Sequence, residues 1–415
     1  MANVKAFKGL RPPKDIVESL ACLPYDVMNS EEAAQMARGK ENSLLHITRA
    51  EIDCPAKVDV HSEVVYNKSV ENFKKFHANG WLTEDTEARF YIYAQTMDGR
   101  TQYGIVGAAS CVDYYDGIIK KHELTRPDKE EDRMVLTRYL NANIEPVFFS
   151  YKAVPEIDSI VSSIVENQKP EYDFVADDGF GHHFWVIYDK QTNIKIEQLF
   201  AEKVPATYVA DGHHRTAAAA RIGKERKEQN PSHTGNEEYN YFMAVHFPDN
   251  QLKILDYNRV VRDLNGLTQD SLLAKLQESF ILENKGQDVY KPSQLHEFSM
   301  YLGGNWYSLN AKKEILNDSD PIGILDVTLL SLHVLEPVFD IKDLRTSTRI
   351  DFVGGIRGLS ELKRRVDSGE MKVAFALFPV SMDQLITIAD SGNIMPPKTT
   401  WFEPKLRSGL VIHKI

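Results

Sequence analysis

Cysteine is scarce. Cys22, Cys54 and Cys111 are the only three in 415 residues, and they lie far apart. No CxxC pair occurs, so no disulfide scaffold is suggested. Long apolar runs are also missing: nothing approaches the ~20 consecutive apolar residues that span a bilayer. The opening stretch MANVKAFKGLRPPKD has no apolar region of the secretory kind. No membrane partner is therefore expected, and the cytoplasm is the expected compartment. Basic residues are outnumbered, 49 Lys and Arg against 60 Asp and Glu, for a net charge of -11. A duplex-coating protein needs the opposite balance to neutralise phosphates, so no nucleic-acid partner is expected. The 23 glycines cannot supply a collagen repeat. Neither GxGxxG nor the Walker-type phosphate loop occurs, and HELTR at 122 to 126 is not HExxH.

What is present can build a sizeable core, with 42% hydrophobic and 26% charged residues. At roughly 150 residues per domain the length fits two to three domains. The hydrophobic spacing predicts a strand at residues 44 to 48 and an amphipathic helix at 63 to 79. RFYIYAQTM and TQYGIVGAASCV flank Asp98-Gly99, a hairpin signal. Strand character returns in EPVFFSY, DFVADDGFGHHFWVIYD, YNYFMAVHF and LKILDYNRVV, with a helix near 156 to 167. Beyond a soft boundary near residue 265, helices are predicted at 270 to 280, at 324 to 335 and over GLSELKRRVDSG, with a hairpin at Gly303-Gly304. The expected class is α+β, with mixed β-sheets and surrounding helices. The expected division is an anion-binding region over 1–265 and an appended C-terminal α/β lobe over 266–415 that contributes a cleft loop.

The strongest local signal is Asp211, Gly212, His213, His214 and Arg215 between a strand and an alanine-rich helix. A helix start offers unpaired N–H groups and the positive dipole end. Gly212 permits close approach, and Arg215 can add a bidentate phosphate contact. His213 and His214 can donate hydrogen bonds or move a proton. Asp211 can cap the helix or hold a histidine tautomer. The same pattern also fits a structural turn. A zinc site would require His182, His183, His213 and Asp211 to converge. Alternatively, His182 and His183 make local polar bonds beside Trp185. A second cluster, HELTRPDKEEDRM, offers Glu123 as a general base, Arg133 as an anion clamp and Asp132 or Glu123 as a magnesium ligand; otherwise it is a solvated, charge-paired loop. In the third, KTTWFEPK, Lys398 and Lys405 can approach negative charge and Thr399 can hydrogen-bond, while Trp401 and Phe402 stack on a base or anchor the terminus. The Pro24, Tyr25, Asp26 turn is a candidate cleft wall.

These motifs carry a resemblance. PYDV at 24 to 27, HELT at 122 to 125, DR at 132 to 133, ADGHHR at 210 to 215 and MPPKTTWFEPK at 395 to 405 resemble, in order and over nearly the whole chain, the family known as domain of unknown function 1015. More distantly, GHHR at 212 to 215 resembles the nucleotide-phosphate turn of the ParB and sulfiredoxin superfamily, some of whose members are free-serine kinases. That likeness implies a ParB/sulfiredoxin-like core, phosphate binding by His213 and Arg215, and a base at Glu123. The sulfiredoxin comparison departs at position 213, where histidine stands in place of the thiol.

Together these readings favour a nucleotide-dependent phosphotransferase acting on a small hydroxylated metabolite, using ATP or ADP with magnesium. Asp211, His213 and Glu123 are its expected catalytic residues. Gly212, His214, Arg215, Arg133, Lys398 and Thr399 are its expected nucleotide contacts. The alternatives are a nucleotide- or anion-binding regulatory protein, or a metal-assisted hydrolase. A homodimer is an open expectation.

Overall fold

The computed structural model describes residues 1–55, 57–317 and 319–415. It is a mixed α/β structure with several sheets, divided into two compact units. The first comprises Met1–Leu252 and Pro404–Ile415, and the second Lys253–Glu403. The boundary expected at residue 265 thus falls inside the second unit, and the last twelve residues return to the first.

The first unit is built on a nine-stranded sheet. Its strands are β1 (Val4–Lys5), β2 (Tyr91–Met97), β3 (Arg100–Ser110), β4 (Ile119–Lys120), β5 (Val147–Tyr151), β6 (Tyr172–Val175), β7 (Gly181–Val186), β8 (Thr207–Asp211) and β9 (Tyr241–Pro248). The spatial order is β4-β8-β5-β9-β3-β2-β7-β6, with β1 added on β3. The β4–β8 and β5–β9 pairs are parallel and the others antiparallel. Between β2 and β3, Asp98 and Gly99 both have positive φ, 53° and 75°, and Met97 pairs with Arg100. That is the two-residue hairpin the sequence predicts.

Its principal helices are α1 (Glu63–Ala78), α2 (Pro127–Leu140), α3 (Pro155–Asn167), α4 (Lys190–Lys203) and α5 (His213–Gln229). The apolar face of α1 buries Val65, Phe73 and Phe76, as its spacing predicts. Residues 44 to 48 are not a strand: Leu45–Thr48 form one helical turn. Leu44, Leu45 and Ile47 are all buried, and a short run buried on every side has no period to separate strand from helix. The C-terminal Ile412–Lys414 pairs with Gly9–Arg11 and Ala142–Asn143 in a separate four-stranded sheet. This pairing fixes the returning segment in the first unit.

The second unit carries an antiparallel six-stranded sheet of β10 (Tyr257–Val261), β11 (Phe280–Gly286), β12 (Glu297–Leu302), β13 (Asn305–Ala311), β14 (Ile350–Gly354) and β15 (Val373–Leu377). Their order is β11-β13-β12-β15-β10-β14. The β12–β13 hairpin turns at Gly303-Gly304. Helices α6 (Gln269–Leu276), α7 (Gly358–Asp367) and α8 (Met382–Asp390) belong to the same unit. Among the described residues, no helix is long and apolar enough to cross a membrane.

Candidate functional site at the Gly212 turn

Strand β8 ends at Asp211 after a register shift against β5 between Val209 and Asp211. Such an irregularity re-aims the side chains beside it. Gly212 then turns the chain with φ 89° and ψ 35°, a left-handed conformation that disfavours a Cβ. Helix α5 starts at once, and no side chain caps it. Its Ala217, Ala218 and Ala220 are buried, so the helix packs closely along α2 and beneath the turn. The fold therefore delivers an open helix start at the end of a central-sheet strand.

Asp211 is engaged on both oxygens. Oδ1 accepts the Gly212 N–H at 2.9 Å, and Oδ2 lies 3.2 Å from the Lys405 ammonium. Burial alone would raise its pKa; Lys405 and Arg215 outweigh burial and hold it down to about 2. Asp211 is thus a fixed anion that positions Lys405 rather than a proton carrier. His213 is buried, and its Nε2 has no partner. Its ring meets that of His122 edge-on at 4.6 Å, and its Nδ1 is 3.9 Å from Glu123 Oε2. Burial, then His122, holds its pKa well below the ordinary value, so the imidazole is neutral at pH 7. His122 follows the same rule, pushed down to about 4 by burial. His214 is half-buried, and its Nε2 accepts the Arg126 N–H at 3.1 Å.

Arg215 does not reach outward as the sequence suggested. Its side chain is buried, Nη1 donates to the Pro146 carbonyl at 2.6 Å, and Nε has no partner. Burial opposes its charge, but Asp26, Glu145 and Asp211 keep the guanidinium protonated. It is a buried source of positive potential under the turn rather than an extended bidentate clamp.

Helix α2 places Asp132 and Arg133 away from any ligand role. Asp132 Oδ1 accepts from His61 Nδ1 at 2.8 Å and from the Tyr66 hydroxyl at 2.7 Å. Its Oδ2 accepts from Arg133 Nε at 2.9 Å and also from Nη2. Both oxygens are saturated, so Asp132 does not fit a magnesium site. Arg133 is stacked 3.7 Å from the Tyr25 ring centroid, and its Nη1 lies 3.6 Å from Glu145 Oε2. This arginine therefore braces the Tyr25 turn, and its guanidinium is not presented as a clamp.

The zinc reading also gives way. His182 and His183 are successive residues of β7, so they project to opposite faces. His182 contacts Tyr93 and Arg407, whereas His183 contacts Asp173 and Thr96. Among the described residues, no group of three or more His, Cys, Asp or Glu is arranged to hold a metal ion. Lys398 and Thr399 lie in the second unit. There the Lys398 carbonyl accepts from Arg259 at 2.9 Å, and the Thr399 hydroxyl donates to the Pro396 carbonyl at 2.6 Å.

With this geometry, the family can be read. A family model described as Protein of unknown function (DUF1015) matches residues 4–328. The chain belongs to the DUF1015 family. No curated protein matches it. Among solved structures, a free serine kinase mutant in complex with AMP has 10% identity and a TM-score of 0.36, covering 78% of this chain and 93% of its own. SbnI with C-terminal truncation, from Staphylococcus aureus, has 11% identity and a TM-score of 0.37, covering 74% and 85%. A conserved hypothetical protein from Pyrococcus furiosus has 12% identity and a TM-score of 0.32, covering 70% and 92%.

In this DUF1015 chain the residue that sequence reasoning missed is Glu145. It is buried, accepts the Tyr25 N–H at 2.9 Å, and stands between the charges of Arg133 and Arg215. The available signal was a lone carboxylate in the apolar stretch NIEPVFF, since a buried charge demands partners. Asp26, from the PYDV turn, is exposed and acts electrostatically on both Arg215 and His214. The PYDV, HELT and ADGHHR motifs thus meet around one helix start, and Lys405 joins them from the returning terminus.

Proposed function

We propose that the Gly212 turn binds the phosphate end of a nucleotide, ATP or ADP, and that the protein transfers a phosphoryl group to a small hydroxylated metabolite. The observation that supports this most is the uncapped start of α5, with the unpartnered, buried Nε2 of a neutral His213 beside it. Backbone N–H groups and the helix dipole receive the phosphate oxygens. Arg215 and Lys405 add positive potential from protein-held positions, without leaving Pro146 and Asp211. Glu123 is 42% exposed, which leaves its carboxylate accessible to an acceptor hydroxyl. In this reading Glu123 takes the hydroxyl proton as the oxygen attacks the terminal phosphorus. The bond to the bridging oxygen breaks, and the nucleotide departs one phosphate shorter.

The test supplies the purified protein with ATP, magnesium and a pool of hydroxylated metabolites, and follows ADP. Turnover is expected with the native chain and lost in Glu123→Gln, whose nucleotide affinity by calorimetry stays within about twofold. Full turnover in that variant would remove Glu123 as the base. The second reading is a nucleotide- or anion-sensing protein without chemistry. It is favoured by the engagement of every buried cation near the turn with protein acceptors or carboxylates. Saturable nucleotide binding with no product across all acceptors decides for it.

A further inference from the structure

Among the described residues four arginines are buried, and Arg215, Arg365 and Arg407 each have carboxylates close by. Arg259, on β10 of the second unit, is fully buried and has none. Its cross-strand neighbours are Phe352 and Phe375, and its guanidinium lies 5.4 Å from the Phe352 ring centroid. Asp256 accepts instead from Asn258, the strand residue that faces away from Arg259. Arg259 Nη1 donates to the Tyr257 carbonyl, Nη2 donates to the Lys398 carbonyl at 2.9 Å, and Nε has no partner. Two carbonyl dipoles and a ring face soften a buried charge without neutralising it. Burial lowers its pKa to about 10, which leaves the guanidinium charged at pH 7.

The turn that this guanidinium reaches carries a second cation. Lys398 follows Pro396 and Pro397, has φ 59° and is exposed. Its ammonium lies 5.7 Å from the Tyr257 ring centroid and, among the described residues, pairs with no carboxylate. Its N–H also donates to no acceptor there. Glu403 accepts from Trp401 Nε1 at 2.9 Å instead. Two positive charges, one sealed and one in solvent, therefore meet at one turn with no negative charge between them. Such a pair attracts an anion, and a dianion gains most from it.

We propose that the turn at 396–399 binds a phosphate group, with the Lys398 ammonium and N–H on its oxygens and Arg259 supplying positive potential from beneath. The tetrahedral oxygens of phosphate can take both donors at once. The group comes as free phosphate or on a phosphorylated metabolite. All of these residues belong to the second unit, so the site stands or falls without the Gly212 reading.

Hydrogen exchange on the full chain, read peptide by peptide, tests it with inorganic phosphate and glycerol 3-phosphate against potassium chloride at matched ionic strength. Each phosphate is expected to slow exchange across residues 394–403 at least threefold, saturating at millimolar concentration, while chloride leaves it unchanged. Whichever saturates first names the source of the group, and either order supports the site. Lys398→Asn removes the ammonium but suits a positive φ, so the turn is kept. It is expected to weaken saturation at least tenfold, and Lys398→Arg to keep it within about threefold. Arg259→Gln, which removes the buried charge, is expected to weaken it at least fivefold; where that variant fails to fold, the two Lys398 variants decide. Equal saturation in Lys398→Asn and the native chain overturns the proposal. Slowing by chloride as strong as by phosphate also overturns it, and so does the absence of slowing by either phosphate. Slowing confined to the peptide that carries Gly212 would support the nucleotide reading alone and overturn this one.

Discussion

Among the described residues, two junctions carry a strand through glycine into a helix, and they differ in what lies beneath. In the first unit, β8 passes through Gly212 into α5, whose opening residues His213, Arg215 and Thr216 are buried. In the second, β14 passes through Gly354 and Gly355 and a short turn into α7, and Ile356 and Arg357 of the turn and Ser360 of the helix are exposed. The second junction has more glycine, yet its first-turn Glu361 pairs only with Arg364, a side chain 60% exposed. Glycine permits close approach at both. Buried polar side chains stand in the opening turn of the helix at the first; at the second they are Asp256 beside Gly355 and Arg365 later in α7, paired with Asp351 and Glu370, as buried charges require.

The largest effect expected from this contrast is on stability. Glu145→Ala removes the acceptor of the Tyr25 N–H and the carboxylate between Arg133 and Arg215. Breaking a buried pair from one side costs about 3–5 kcal/mol. Glu361→Ala at the other junction breaks an exposed pair worth about 0.5 kcal/mol. Urea unfolding measures both, and equal costs would abolish the distinction.

Acid provides the next largest effect. His122 and His246 are pushed down to about 4 and His182 to about 3, in each case chiefly by burial, and His213 falls well below its ordinary value. All four belong to the first unit. Unfolded histidines titrate near ~6.5, so below that pH the unfolded chain binds more protons than the folded one. Their contribution is complete above pH ~6.5 and is lost as pH falls toward their folded values, the His122 shift alone corresponding to about 3 kcal/mol. Glu145, raised chiefly by burial, acts in the opposite sense and offsets part of this. The second unit has only His296 and His333. Hydrogen exchange should show protection of α5 falling between pH 6.5 and 4 while that of β12 and β15 holds. Parallel loss in both units would contradict the assignment.

Much of this arrangement was legible in the residues. The Asp98-Gly99 hairpin and the α1 periodicity are local, and both formed where local chemistry predicts. The Gly212 turn was legible for the same reason. The return of residues 404–415 was not, because the pairing of Ile412 with Leu10 spans nearly the whole chain. The roles of Asp132 and Arg133 were misjudged for a related reason. Their polarity suggested a ligand, but His61, Tyr66 and Glu145, which occupy them, come from distant segments. A charged residue type signals that partners exist; only the fold decides whether those partners are protein or ligand.

A smaller stability effect than that of Glu145 is the sharpest in function. Gly212→Ala places a Cβ in a left-handed conformation at φ 89°, with the Arg215 guanidinium 3.2 Å away. Gly358→Ala is strained by its backbone, φ 68° and ψ 169°, but its Cβ meets only Ser360 Oγ at 3.7 Å. Each should cost about 1–3 kcal/mol in urea unfolding, because both positions exclude an ordinary side chain. Nucleotide affinity should separate them. At Gly212 the new methyl group presses on a guanidinium held by Pro146 and occupies the approach to the α5 start, so affinity should fall at least tenfold. At Gly358 it should stay within about twofold. Equal weakening at both glycines would mean that backbone strain alone accounts for the loss, and the buried polar groups beneath Gly212 would no longer distinguish the two junctions.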